Sequence, residues 1–65
     1  MPGSDAAVLS SIVAQIEDLT RRVTELADSY GTTPDSAIAA ELYAAERALV
    51  GAHRALDRAM RSMSG

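Results

Sequence analysis

The strongest constraint on this chain is a register shared by two of its segments. Leu9 with Ala59, Ile12 with Leu56, Ile16 with Ala52, Leu19 with Leu49, Val23 with Ala45, Leu26 with Leu42 and Tyr30 with Ile38 all have residue numbers of equal sum. Two helices running in opposite directions require this, because a step forward along one is a step back along the other. From Leu9 to Tyr30 the large apolar residues alternate in steps of three and four, the spacing of a heptad seam. Leu9, Ile16, Val23 and Tyr30 take the a positions, and Ile12, Leu19 and Leu26 the d positions. In the second segment Leu42, Leu49, Leu56 and Met63 take a, while Ile38, Ala45, Ala52 and Ala59 take d. In an antiparallel pair a meets d, so Leu9, Ile16 and Val23 face alanines, an alternation of large and small that fills layers without voids.

The turn chemistry agrees. Gly31 stands where a left-handed residue closes a helix, Thr32 or Thr33 can cap the next one, and Pro34 suits its first position with Asp35 in the first turn. A connection this short makes the helices antiparallel neighbours. Ser4 or Asp5 can cap the first helix, and Ser62 to Gly65 reads as a frayed tail. The expected organisation is one all-α domain over residues 1–65: helix 1 at about 5–30, a turn at 31–33 and helix 2 at about 34–62. It is an antiparallel, coiled-coil-like helical hairpin.

Size adds a second expectation. Domains of about 60 residues bury only about 60 % of their unfolded surface, and small scaffolds add disulfides, metals or oligomerisation. The chain has no cysteine and one histidine, His53, which leaves oligomerisation. Helix 2 is also apolar on more sides than one partner helix covers. Ala44, Ala48, Gly51 and Ala55 form a smooth stripe beside the seam, and Tyr43, Val50, His53 and Met60 occupy the other flank. A mid-helix glycine costs roughly 1 kcal/mol relative to alanine, so Gly51 suggests the close approach of a second backbone. Two copies of helix 2 crossing antiparallel at Gly51 would bring Ala44 near Arg58, and Glu41 near Arg61, of the other copy. Such self-complementarity is what a twofold interface needs, and the expectation is a homodimeric four-helix bundle. Tyr43, Val50, His53 and Met60 are then expected to contact a further protein.

Chemistry beyond association is thinly supported. The net charge is −3, and all six basic residues are Arg, so nothing attracts phosphate backbones in general. Arg47, Arg54, Arg58 and Arg61 nevertheless form a line on helix 2 that could span phosphates. Opposing this, Phe and Trp are absent and offer no stacking platform. His53 lies one turn from Asp57 and two turns from Glu46, about 10 Å away along one helix, too far for both to ligate one ion. Glu17, Asp18, Glu25 and Asp28 lie with Arg21 and Arg22 on an outer face as i,i+4 pairs. No Gly-rich phosphate loop or nucleophile–base arrangement occurs. Neither catalytic, metal nor cofactor residues are expected, and the chain does not read as an enzyme.

Met1-Pro2-Gly3-Ser4-Asp5 lacks a basic leader region, and no apolar run approaches the ~18 residues of a membrane span; a cytoplasmic protein without membrane contact is expected. The layout resembles that of Rop-type RNA-binding hairpin dimers, a likeness of architecture that transfers no function. The leading expectation is therefore a small self-associating interaction or adaptor module in a larger protein complex. A nucleic-acid-binding regulator using the Arg line, and a regulatory subunit ordered only on its partner, are the alternatives.

Overall fold

A computed structural model describes residues 2–31 and 34–64, with the side chains of 5–31 and 34–63. It is a hairpin of two helices, α1 (Pro2–Tyr30) and α2 (Ser36–Ser64), packed along their lengths. The antiparallel register is visible in the cross-helix bonds, where Thr24 meets Glu46 and Glu17 meets His53. These pairs depart from the expected register by only two residues.

The ends differ from expectation. α1 begins at Pro2, so Asp5 falls within its first turn, where a carboxylate suits the positive end of the helix dipole. α2 begins at Ser36 rather than Pro34; Pro34 and Asp35 form a turn, and the Ile38 N–H donates to the Asp35 carbonyl at 2.9 Å. Gly31 is not left-handed, for no described glycine has a positive φ. Its N–H instead closes α1 by donating to the carbonyls of Ala27 (3.1 Å) and Asp28 (3.3 Å), a shared bond common at helix termini. The expected caps at Thr32 and Thr33 lie outside the described residues.

The larger correction concerns which faces meet. Leu9, Ile16, Val23 and Tyr30 do point at α2, but both helices are rotated away from a pure a/d seam. On α1 the inner face is completed by Val13, Thr20, Thr24 and Ala27. The d residues Ile12, Leu19 and Leu26 remain 39 %, 45 % and 49 % exposed. On α2 the inner face runs through Ala39, Leu42, Tyr43, Glu46, Leu49, Val50, His53, Leu56 and Met60, all covered or half-covered. Ile38, Ala45 and Ala52 are exposed.

Polar bonds link the rotated faces. Turning Thr24 and Glu46 inward lets the Thr24 Oγ1 donate to the Glu46 Oε2 at 2.8 Å, and Tyr43 reaches Asp28 across the hairpin. Thr20, half-buried in the seam, satisfies its hydroxyl on the Ile16 carbonyl at 2.7 Å, so it costs no unpaired polar group. Near the turn the most covered residues are small, Ala27 and Ala39, and small residues let helix axes approach closely. A d-facing seam would give up these bonds and keep only bulk.

The resulting core is slight. Leu9, Val13, Ala27 and Ala39 are its buried residues, and no large side chain among the described residues is fully buried.

Candidate interaction surfaces

The seam divides the molecule into two open edges of opposite chemistry. The cross-helix bonds mark the first. At one level the Thr24 hydroxyl and Glu46 carboxylate meet; toward the turn, the Tyr43 hydroxyl donates to the Asp28 Oδ1. Toward the chain ends, His53 stands between two carboxylates, its Nδ1 3.3 Å from the Asp57 Oδ2 and its Nε2 3.8 Å from the Glu17 Oε1. Accepting the Tyr43 hydrogen bond, the Asp28 carboxylate raises that phenol's pKa above its ordinary 10.0, helped by partial dehydration and the negative charges of Asp28 and Glu46. A shallow groove beside His53 is lined by Glu17, Thr20, Arg21, Val50 and Arg54. Among the described residues no three His, Asp or Glu side chains converge as a metal site would require.

The second edge is apolar. At 100° per residue, Ile12, Leu19 and Leu26 lie about 90° from the α1 seam, on the side away from Glu17, Thr24 and Asp28. Val8, 58 % exposed, continues their line. On α2 the corresponding side carries Ile38, Ala45, Ala52 and Met63, with the half-buried Leu49 and Leu56 beside them. The two helices thus share one apolar face, with the exposed Glu41 at its margin near the turn.

The hairpin also exposes too much surface for its mass. Its accessible area is 4581 Å² for 6.8 kDa, against about 3,950 Å² for a compact monomer of that mass. The radius of gyration is 15.1 Å, against about 10.7 Å for a compact chain of this length. The Cα trace measures 50 × 14 × 10 Å, a single layer where stable domains pack two.

The residues expected to act in recognition fall into distinct places. Ala44, Ala48, Gly51 and Ala55 are all exposed on the outer side of α2, bordering the apolar face. A Cβ added at Gly51 would meet nothing within 4 Å. Glu41, Arg58 and Arg61 are exposed too, as are Arg47 and Arg54, so the arginine line is displayed to solvent. Tyr43, Val50, His53 and Met60 are half-buried; the hairpin itself engages Tyr43 through Asp28 and His53 through Glu17. On the outer side of α1, Asp18 pairs with Arg21 and Arg22, and Arg21 with Glu25, exposed pairs of the kind worth a few tenths of a kcal/mol.

Missing from the expected set is the face built on Ile12, Leu19, Leu26, Ile38 and Met63. All belong to the seam that a heptad count predicts. The signal that separates them is present: Val13, Thr20 and Ala27 repeat at the same seven-residue interval as Leu9, Ile16 and Val23, offering α1 a second, equally regular seam.

No described helix is long and apolar enough to cross a membrane. Comparison of the chain with protein-family models, with curated proteins and with solved structures finds no match.

Proposed function

We propose that this chain is a non-catalytic interaction or adaptor module that works by laying its apolar edge against another helical surface. The supporting observation is the cluster of large side chains left 39–58 % exposed along that edge: Val8, Ile12, Leu19, Leu26, Ile38 and Met63. Fully burying such a side chain is worth about 1.5–3 kcal/mol, so covering the cluster is a sufficient drive for association. Contiguous exposed apolar surface rimmed by polar residues is also the ordinary mark of a protein-binding site. Helical partners suit it best, because side chains spaced by heptads interlock with the grooves of another helix.

The test is site-specific photo-crosslinking in living cells, with the reactive group at Leu19 or, for comparison, at Arg54. The reading expects protein adducts at Leu19, whether to another protein or to the same chain, and few at Arg54. Adducts at Arg54 with Leu19 silent would overturn it.

A second reading, a nucleic-acid-binding regulator, is favoured by the exposure of Arg47, Arg54, Arg58 and Arg61 on one side of α2. It expects a salt-sensitive mobility shift with RNA or DNA, abolished by Arg54→Glu with Arg58→Glu. Absence of any shift at low salt would remove it.

A further inference from the structure

We infer that the occupant of the apolar edge is a second copy of this chain, turned about a twofold axis that passes between Leu19 and Ala52 and places the two turns at opposite ends. The inference rests on the proposed docking role of that edge and adds its partner and geometry.

Three observations carry it. The first is area. The surface in excess of a compact monomer's is about 600 Å², from 4581 Å² observed. Two such excesses removed together come to about 1,200 Å², the lower bound for a specific, stable interface. Pairing two hairpins therefore offers the area that a stable interface needs.

The second is symmetry. A twofold interface demands that one surface fit itself. Ile12 and Leu26 lie seven residues on either side of Leu19, so an axis at Leu19 sets Ile12 over Leu26 of the second copy and Leu19 over its own image. The Thr24–Glu46 hydrogen bond and the approach of Glu17 to His53 fix the levels of the two helices, and they put Leu19 level with Gly51, next to Ala52. The same axis therefore serves α2. There Ala52 lies one residue from the axis, and Ala45 comes within roughly half a turn of Ala59 of the second copy. The layers at Leu19 and at Ile12 with Leu26 then hold leucine or isoleucine from the α1 pair and alanine from the α2 pair, which fills a four-helix interior evenly.

The third is the border of the face on α2. Ala48 and Ala55 are small and exposed there, so two α2 helices can approach toward the low end of the ~8–10 Å range. The alternative twofold, along the helices, lays α1 of one copy over α2 of the other. It would set Arg22 against Ala48 and Gln15 against Ala55, where Gln15 finds no hydrogen-bonding partner and Arg22 keeps only its own Asp18. Charged and polar groups covered without partners are costly. Each helix meeting its own image keeps Gln15 and Arg22 together at a wet rim.

The chain has no cysteine, so introduced thiols report without background. Purified Leu19→Cys, mildly oxidised, is expected to give a disulfide-linked dimer in high yield. Ser10→Cys, on the polar side, should give little. Sedimentation of the unmodified chain at about 100 µM should give twice the single-chain mass. A single-chain mass would overturn the inference and leave the docking role standing for a different protein partner. A dimeric mass with no Leu19→Cys link would also overturn it. In that case a link between Leu19→Cys and Ala52→Cys chains would identify the other twofold, and one in Gly51→Cys the outer stripe alone. Silence at Leu19 in the cellular crosslinking is the separate result that would defeat the docking role itself.

Discussion

The two edges of this hairpin are built on the same pair of helices, yet they differ in whether their side chains find partners at home. On the polar edge, Thr24, Glu46, Tyr43, Asp28, His53, Glu17 and Asp57 answer one another across the seam or along α2. On the apolar edge, Leu19, Leu26 and Ile38 stay nearly half exposed. Hydrogen bonds are directional and local, so two helices can complete the first edge between them. Apolar burial needs area, and two helices side by side have only one seam to give. A hairpin that completes its polar edge internally turns its surplus bulk outward.

The largest effect that would break this contrast comes from charging the apolar edge. Leu19→Glu with Leu26→Glu should abolish association in sedimentation while leaving the polar edge untouched, since both positions face away from it. Retention of the assembled mass would show that the edge is idle.

The polar edge should respond on a smaller scale. Thr24→Val removes the hydroxyl from Glu46 and should cost about 1 kcal/mol in denaturant unfolding, the net worth of one hydrogen bond. A loss several times greater would mean that the polar contacts hold the hairpin together more than its packing does.

Gly51→Ala separates the outer stripe from the face beside it. The added Cβ meets nothing within the hairpin, and alanine favours helix by roughly 1 kcal/mol. The substitution should raise the melting temperature by a few degrees without altering mass. Destabilisation instead would place a second backbone directly against Gly51.

The subtlest probe is Tyr43. Its phenol has a raised pKa because Asp28 accepts its hydrogen bond, so it should ionise above the ordinary value of 10.0 in a Tyr30→Phe background, read by ultraviolet absorbance. The protonated phenol is the form that folding favours. Its contribution is therefore complete below the unfolded pKa and is lost as pH rises through the folded one. Asp28→Asn should bring the titration down toward 10; no movement would show that the bond is not formed in solution.

The hairpin itself was legible because turn residues and matched periodicity are one-dimensional signals, and Gly31 with Pro34 marks the reversal whatever their detailed geometry. The rotation of the helices was not. Leu9, Ile16 and Val23 can share a seam with Ile12, Leu19 and Leu26, or with Val13, Thr20 and Ala27. A heptad count prefers the larger residues. The chain takes the other set, in which Thr24 bonds Glu46 and the small pair Ala27 and Ala39 closes the turn end. Those gains depend on residues 22 apart in sequence, beyond the reach of any local pattern. His53 with Asp57 was readable, being one turn along a single helix, whereas its second neighbour Glu17 required the folded register.

A hairpin whose Cα trace is 10 Å through has little inside of its own. Where a partner supplies that inside, dilution and unfolding become one event, because the complement is lost together with the shape. The quantity that governs how much intact protein a cell holds is then abundance: crowded copies shelter one another, and scarce ones are the first to reach a protease.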